Sequence, residues 1–132
     1  MADKKKKILM IEDDLFLRKI YRDKLTKAGF LFIEATNGVE GMNKVISEGP
    51  DLILLDVMLP MKSGFDVLID IKSNQNTQKI PVIILSNLGQ KTDIERGFSL
   101  GADDYLVKTE ISISEVVSRA RGLLIKKSAK EE

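Results

Sequence analysis

Four places in the chain carry side chains suited to moving a phosphoryl group: Glu12-Asp13-Asp14, Asp56, Ser86 and Lys108. Carboxylates bind hard cations, and a carboxylate beside such a cation can attack phosphorus to form an acyl phosphate. A lysine ammonium can neutralise charge on the moving group, and a serine hydroxyl can hydrogen-bond one of its oxygens. Taken singly, each residue has a plain structural role: Asp14 as a helix cap, Asp56 as a turn former, Ser86 as a loop hydroxyl, Lys108 as a surface charge. Gathered in one place, at least three carboxylates would repel one another strongly without a cation. Mg2+ suits them, because it takes oxygen ligands, keeps several waters and needs only one or two carboxylates plus phosphate oxygens; Ca2+ usually wants more protein ligands.

The rest of the composition removes competitors. There is no cysteine and no histidine, which excludes disulfides, thiolate zinc sites, cysteine nucleophiles, a histidine base and phosphohistidine. No serine elbow motif is present, so acyl-transfer hydrolysis is a poor alternative. The 132 residues are 43% apolar and 31% charged, the profile of one ordinary globular domain spanning 1–132, with an ordered core over about 7–125 and charged tails at both ends. Twenty-one basic against 20 acidic side chains leave a net charge of +1, which does not advertise nucleic acid. The Lys4–Lys7 run reads as a solvated lead-in to the first strand. No apolar stretch has the length of a membrane span, and no signal-type segment opens the chain, so the expected location is the cytoplasm.

The elements that must position these residues show as five short apolar runs: 7–12, 31–35, 51–56, 81–85 and 105–107. Within the first, third and fourth, residues 8–11, 52–55 and 82–85 are continuously apolar, as in parallel strands covered on both faces, and the other two look less buried. Between them the apolar residues take helical spacing. Leu17, Tyr21, Leu25 and Ala28 define a first helix that Asp14 can cap and Gly29 can end in a left-handed conformation. Val39, Met42, Val45 and Ile46 repeat the pattern before Gly49-Pro50. Phe65, Leu68, Ile69 and Lys72 follow, then a helix near 93–100, then Val116, Val117, Ala120, Leu123 and Leu124. Five βα units predict an α/β fold, a doubly wound five-stranded parallel sheet with helices on both faces. Ligands of such sheets gather beyond the carboxyl ends of the strands, where strand order reverses. All four chemical positions fall just past strand ends.

From residue 7 to residue 125 the sequence closely resembles the receiver domain of two-component response regulators. Ile8-Leu9-Met10-Ile11-Glu12-Asp13-Asp14 resembles that family's first strand and acidic cluster, and Asp51 through Pro60, followed by Gly64, its phosphoacceptor strand and turn. Pro81 through Ser86 is similar to the fourth strand, and Gly101 through Lys108 to the fifth. The resemblance implies a flavodoxin-like (βα)5 fold with strand order 2-1-3-4-5. It also implies that Asp56 is the phosphoacceptor, that Asp13, Asp56 and the backbone carbonyl of Met58 bind Mg2+ directly, and that Glu12 acts through a metal-bound water. Ser86 and Lys108 would grip the phosphoryl oxygens, Tyr105 would be an aromatic switch, and Asp14 would stay a helix cap outside the metal shell.

Two residues depart from the family pattern. Thr109 follows Lys108 where proline is usual; a cis bond before threonine costs about 3–4 kcal/mol, so a trans bond and a rearranged loop are expected, with the aim of Lys108 at stake. Asn87 is larger than the usual residue after the hydroxyl and would narrow access to the phosphate.

The resemblance further implies a stand-alone, chemotaxis-regulator-like signalling switch, not an enzyme, which takes its phosphoryl group from a histidine kinase or phosphotransfer protein. The downstream target is an unknown protein, with no direct nucleic acid and no membrane span. Its contact surface would be 91–100 with 114–124, and the molecule would be a monomer or a phosphorylation-dependent dimer. A Mg2+-dependent phosphohydrolase ranks last, since 132 residues leave no room for a cap domain. A receiver degenerate in its site, used only for binding, ranks between the two.

Overall fold

A computed structural model describes residues 4–131 of the chain. The elements alternate as β1 (Lys7–Ile11), α1 (Leu15–Lys27), β2 (Leu31–Ala35), α2 (Gly38–Glu48), β3 (Leu52–Leu55), α3 (Gly64–Ser73), β4 (Val82–Ser86), α4 (Lys91–Ser99), β5 (Asp104–Val107) and α5 (Ile113–Glu131). All strand pairings are parallel, and the order is β2-β1-β3-β4-β5. This is the doubly wound flavodoxin-like arrangement expected from the sequence. The order reverses at β1, whose neighbours are β2 and β3, so the tips of β1 and β3 open the crevice where ligands of such sheets collect.

The continuous apolar runs are explained by the two-residue period of a strand. Leu9, Ile11, Ile53, Leu55, Val82 and Ile84 face one layer, where they pack with Val45 of α2 and Val67, Leu68 and Ile71 of α3. Their alternates Ile8, Met10, Leu52, Leu54, Ile83 and Leu85 face the other, against Tyr21 and Leu25 of α1 and Val116, Ala120 and Leu124 of α5. Each fully buried aliphatic side chain contributes about 1.5–3 kcal/mol of transfer free energy, so a one-residue register slip would exchange the two layers and is strongly disfavoured.

The helix boundaries follow local chemistry. Asp14 caps α1 by accepting from the Leu17 amide at 3.2 Å, and Gly29 takes a φ of +96° just past its end. Gly49, at +55°, ends α2. The β2 and β5 strands are the partly exposed pair, and Lys4, Lys5 and Lys6 are exposed ahead of β1. One boundary differs from the sequence reading, which ended the ordered core near 125: α5 continues past Ile125 to Glu131. That stretch is lysine, alanine and glutamate with one serine and no Gly or Pro, and such residues propagate a helix already anchored by packing. Residues 1–3 and Glu132, the outer parts of the two tails, lie outside the described residues.

Candidate functional site

Glu12, Asp13 and Asp56 meet at the crevice. One carboxylate oxygen of each lies within 4.8 Å of the others. Glu12 and Asp13 follow β1 directly, and the Glu12 amide donates to the Ala35 carbonyl at 3.0 Å, continuing the sheet one step past the strand. Asp56 follows β3, and its amide donates to the Ile11 carbonyl at 3.1 Å. Backbone pairing of adjacent strands therefore brings the carboxylates together across 43 to 44 positions of sequence.

Lys108, just past β5, points into the same place. Its Nζ is 2.8 Å from Asp56 Oδ2 and 2.6 Å from Glu12 Oε1. The Lys108 amide donates to the Ser86 carbonyl at 2.9 Å, so β4 sets its register. No cis peptide bond occurs among the described residues, so the Lys108–Thr109 bond is trans. The lysine reaches the carboxylates without the proline usual at position 109.

The carboxylates differ in their surroundings. Glu12 is 1% exposed and Asp56 6%, whereas Asp13 is exposed. Burial pushes the Glu12 carboxyl up to about 7; the Lys108 contact and the Asp14 amide, which donates to Glu12 Oε2 at 3.0 Å, restrain that rise, and the Asp56 charge adds to it. Burial also opposes the charge of Lys108, but its contacts with Asp56 and Glu12 outweigh burial and raise its pKa. The Met58 amide donates to Asp56 Oδ1 at 3.0 Å, which sets the Met58 peptide beside that carboxylate.

Ser86 is the last residue of β4 and fully buried, and its Oγ accepts from the Leu88 amide at 3.3 Å. The Leu88 carbonyl in turn accepts from the Tyr105 hydroxyl at 2.6 Å. Ser86 and Tyr105 are therefore joined through one short loop, with Asn87 exposed between Ser86 and Leu88. Tyr105 is 7% exposed, and burial, with Asp93 and Asp56 adding to it, pushes its phenol up to about 12. Asp14 stays at its helix cap, outside the carboxylate group.

Two supports escaped the sequence reading. Arg18 is nearly buried, donates from Nη1 to the Glu12 carbonyl at 3.0 Å and from Nε to Glu34 Oε1 at 2.9 Å. It clamps the end of β1 to β2. Its signal was available only as an arginine one turn after Asp14, on the face that Tyr21 and Leu25 bury. Gly64, named in the sequence only as following the phosphoacceptor turn, is also a packing requirement: a Cβ there would lie 2.0 Å from the Asp56 carbonyl oxygen.

The donor set suits a hard divalent cation. It offers oxygen only, two of the three carboxylates are buried, and the buried Glu12 Oε1 has no properly aligned hydrogen-bond donor, since Lys108 meets it as a close ion pair. A buried carboxylate oxygen in that state has unspent capacity for a cation.

Residues 8–121 match the response regulator receiver domain. The chain is 39% identical over 118 residues, 89% of its length, to the DNA-binding dual master transcriptional regulator RpaA of Synechocystis, of which the match covers 48%. It is equally 39% identical over 118 residues to the transcriptional regulatory protein CpxR of Escherichia coli, with 89% and 49% covered. The chain thus spans about half the length of the curated relatives it matches. Among solved structures, the receiver domain of the Francisella response regulator 1452 superposes with a TM-score of 0.85 at 30% identity, covering 92% of this chain and 98% of that one.

Proposed function

Because the chain belongs to the response regulator receiver domain family, we propose that it is a phosphorylation-controlled switch whose phosphoacceptor is Asp56. The observation that carries this reading is the Asp56 carboxylate, flanked by Glu12 and Asp13 and held at 2.8 Å by the Lys108 ammonium. Asp56 attacks phosphorus, a bond from its carboxylate oxygen to phosphorus forms, and the bond from phosphorus to the donor's leaving atom breaks. The product is an aspartyl phosphate.

Lys108 keeps its ammonium against the acceptor oxygen and can turn from Glu12 to a phosphoryl oxygen as charge moves outward. The Ser86 hydroxyl hydrogen-bonds another phosphoryl oxygen by leaving the Leu88 amide, and that same loop carries the Leu88 carbonyl on which Tyr105 rests. A change at Ser86 would thus reach Tyr105, the switch position, through a two-residue connection. Asp13, Asp56 and the Met58 carbonyl would hold Mg2+ directly, and Glu12 would do so through water. When bound, Mg2+ supplies positive charge to the phosphoryl oxygens.

The donor is a histidine kinase or phosphotransfer protein, and the domain performs only its own phosphorylation and dephosphorylation. Output passes from α4, β5 and α5, where Phe98 is an exposed aromatic, to a protein target in the cytoplasm. No helix among the described residues is long and apolar enough to cross a membrane. The near-neutral charge supports protein contacts over direct nucleic-acid binding. We propose that the five βα units of this chain fold as one receiver domain.

The phosphoacceptor is tested with acetyl phosphate and Mg2+. The expected result is a phosphoryl adduct on the wild-type chain and none on Asp56→Asn. Equal labelling of that variant, or no labelling of the wild type by any donor, overturns the reading.

A further inference from the structure

At the amino-terminal edge of the sheet, opposite the carboxylates, a cavity of about 480 Å³ opens between the end of α3, the entry to β4 and the last third of α5. Four ammonium side chains wall it: Lys72, Lys79, Lys126 and Lys127. We propose that this cavity binds a small organic polyanion of the nucleoside polyphosphate class, a site separate from the phosphoacceptor.

Among the described lining residues Asp103 is the one carboxylate. Its Oδ2 accepts from the Val82 amide at 2.8 Å and faces Lys72 Nζ at 3.9 Å. Within that lining it can offset one of four positive charges.

Lys72 is built in place. Its stem runs past Gly101, where a Cβ would come within 3.0 Å of Lys72 Cγ, and its ammonium donates to the carbonyls of Gln78 at 3.1 Å and Ile80 at 2.8 Å. An ammonium has three donors, so one remains for a ligand. Burial lowers the Lys72 pKa; Asp103 opposes that and the Lys127 charge adds to it, so a bound anion would relieve repulsion already present among the lysines.

The size and lining choose the class. Small-molecule sites occupy roughly 300–1,000 Å³, and the half-buried Leu123, with the buried Pro81 also in this wall, offers an apolar contact for the non-phosphate body of a nucleotide. A concave site walled on three sides fits a compact ligand better than the long phosphate rails of a duplex.

Amide NMR titrations in EDTA, on the full chain carrying Asp56→Asn, use ATP and inorganic pyrophosphate as probes. Saturable shifts at Lys72, Gln78 and Lys127 are expected, with ATP binding more tightly than pyrophosphate. The double substitution Lys79→Ala with Lys126→Ala changes two exposed side chains and should weaken ATP about tenfold, since each rim charge contributes modestly. The proposal falls if neither probe saturates, if shifts centre on Lys108, if ATP binds no better than pyrophosphate, or if the double variant binds as the wild type does. It also falls if duplex DNA displaces ATP from these lysines at lower concentration, which would make the occupant a macromolecule.

Discussion

Lys108 Nζ lies 2.8 Å from Asp56 Oδ2, joining the end of β5 to the end of β3 across β4. The same ammonium sits 2.6 Å from Glu12 Oε1, so one cation offsets two buried carboxylates. Lys108→Met leaves both without it. Losing a charged hydrogen-bond partner costs about 1.5–3 kcal/mol, and metal-free urea unfolding should show a loss of that size. Divalent cation should restore part of it by occupying the same negative ground. A variant as stable as the wild type in EDTA would remove Lys108 as the counter-charge.

Glu12 gives the protein a pH dependence with a definite sign. Its folded pKa of about 7 lies above the ordinary 4.5, so between those values the folded chain holds a proton that the unfolded chain releases. The stabilisation is complete below about 4.5 and is lost as pH rises through about 7. In EDTA, stability should therefore fall over this window, and Glu12→Gln should flatten the fall. Mg2+ requires the ionised carboxylates, so its stabilising effect should grow as pH rises. Urea midpoints measured at several pH values, with and without Mg2+, check both slopes; parallel slopes for wild type and Glu12→Gln would contradict the assignment.

Two glycines separate packing from propensity. A Cβ at Gly64 would meet the Asp56 carbonyl oxygen at 2.0 Å and the Val57 Cα at 2.5 Å, both rigid backbone. Gly64→Ala should cost about 3 kcal/mol through overpacking and should slow labelling, because the displaced backbone carries Asp56. Gly122, inside α5, has nothing within 4 Å of a built Cβ, so Gly122→Ala should raise stability by up to about 1 kcal/mol and leave labelling unchanged. Thermal unfolding and acetyl phosphate labelling of the pair decide it; equal stability changes would refute the close approach at Gly64.

What could be read from sequence was whatever depends on period and on chain punctuation. Continuous apolar runs identified the covered strands, and Asp14, Gly29 and Gly49 marked helix ends through backbone chemistry that acts within a few residues. The carboxylates could be gathered because parallel strands share one end. Helix α5 was cut short at Ile125 because a charged run reads as solvated, although lysines and alanines extend a packed helix well. Arg18 was missed for a related reason: an arginine reads as surface until the carbonyl it serves, here that of Glu12, is known. Nor does sequence reveal that Glu12 is buried while its neighbour Asp13 is exposed; that depends on the packing around each side chain, Lys108 against Glu12 included.

Asn87 is exposed between Ser86, whose hydroxyl is proposed to hold a phosphoryl oxygen, and Leu88, whose carbonyl anchors Tyr105. Hydrolysis of an aspartyl phosphate needs water to approach phosphorus in line, and a larger side chain at this rim hinders that approach. Asn87→Ala should therefore shorten the lifetime of the phosphorylated protein, by a few-fold if access is the limiting term, while leaving stability nearly unchanged because an exposed side chain away from caps and packing usually matters by less than about 0.5 kcal/mol. Decay of the isolated phosphoprotein in Mg2+ measures the lifetime, and urea unfolding controls for the fold. An unchanged lifetime would show that Asn87 does not gate water; a lengthened one would mean that its amide instead helps to position the attacking water.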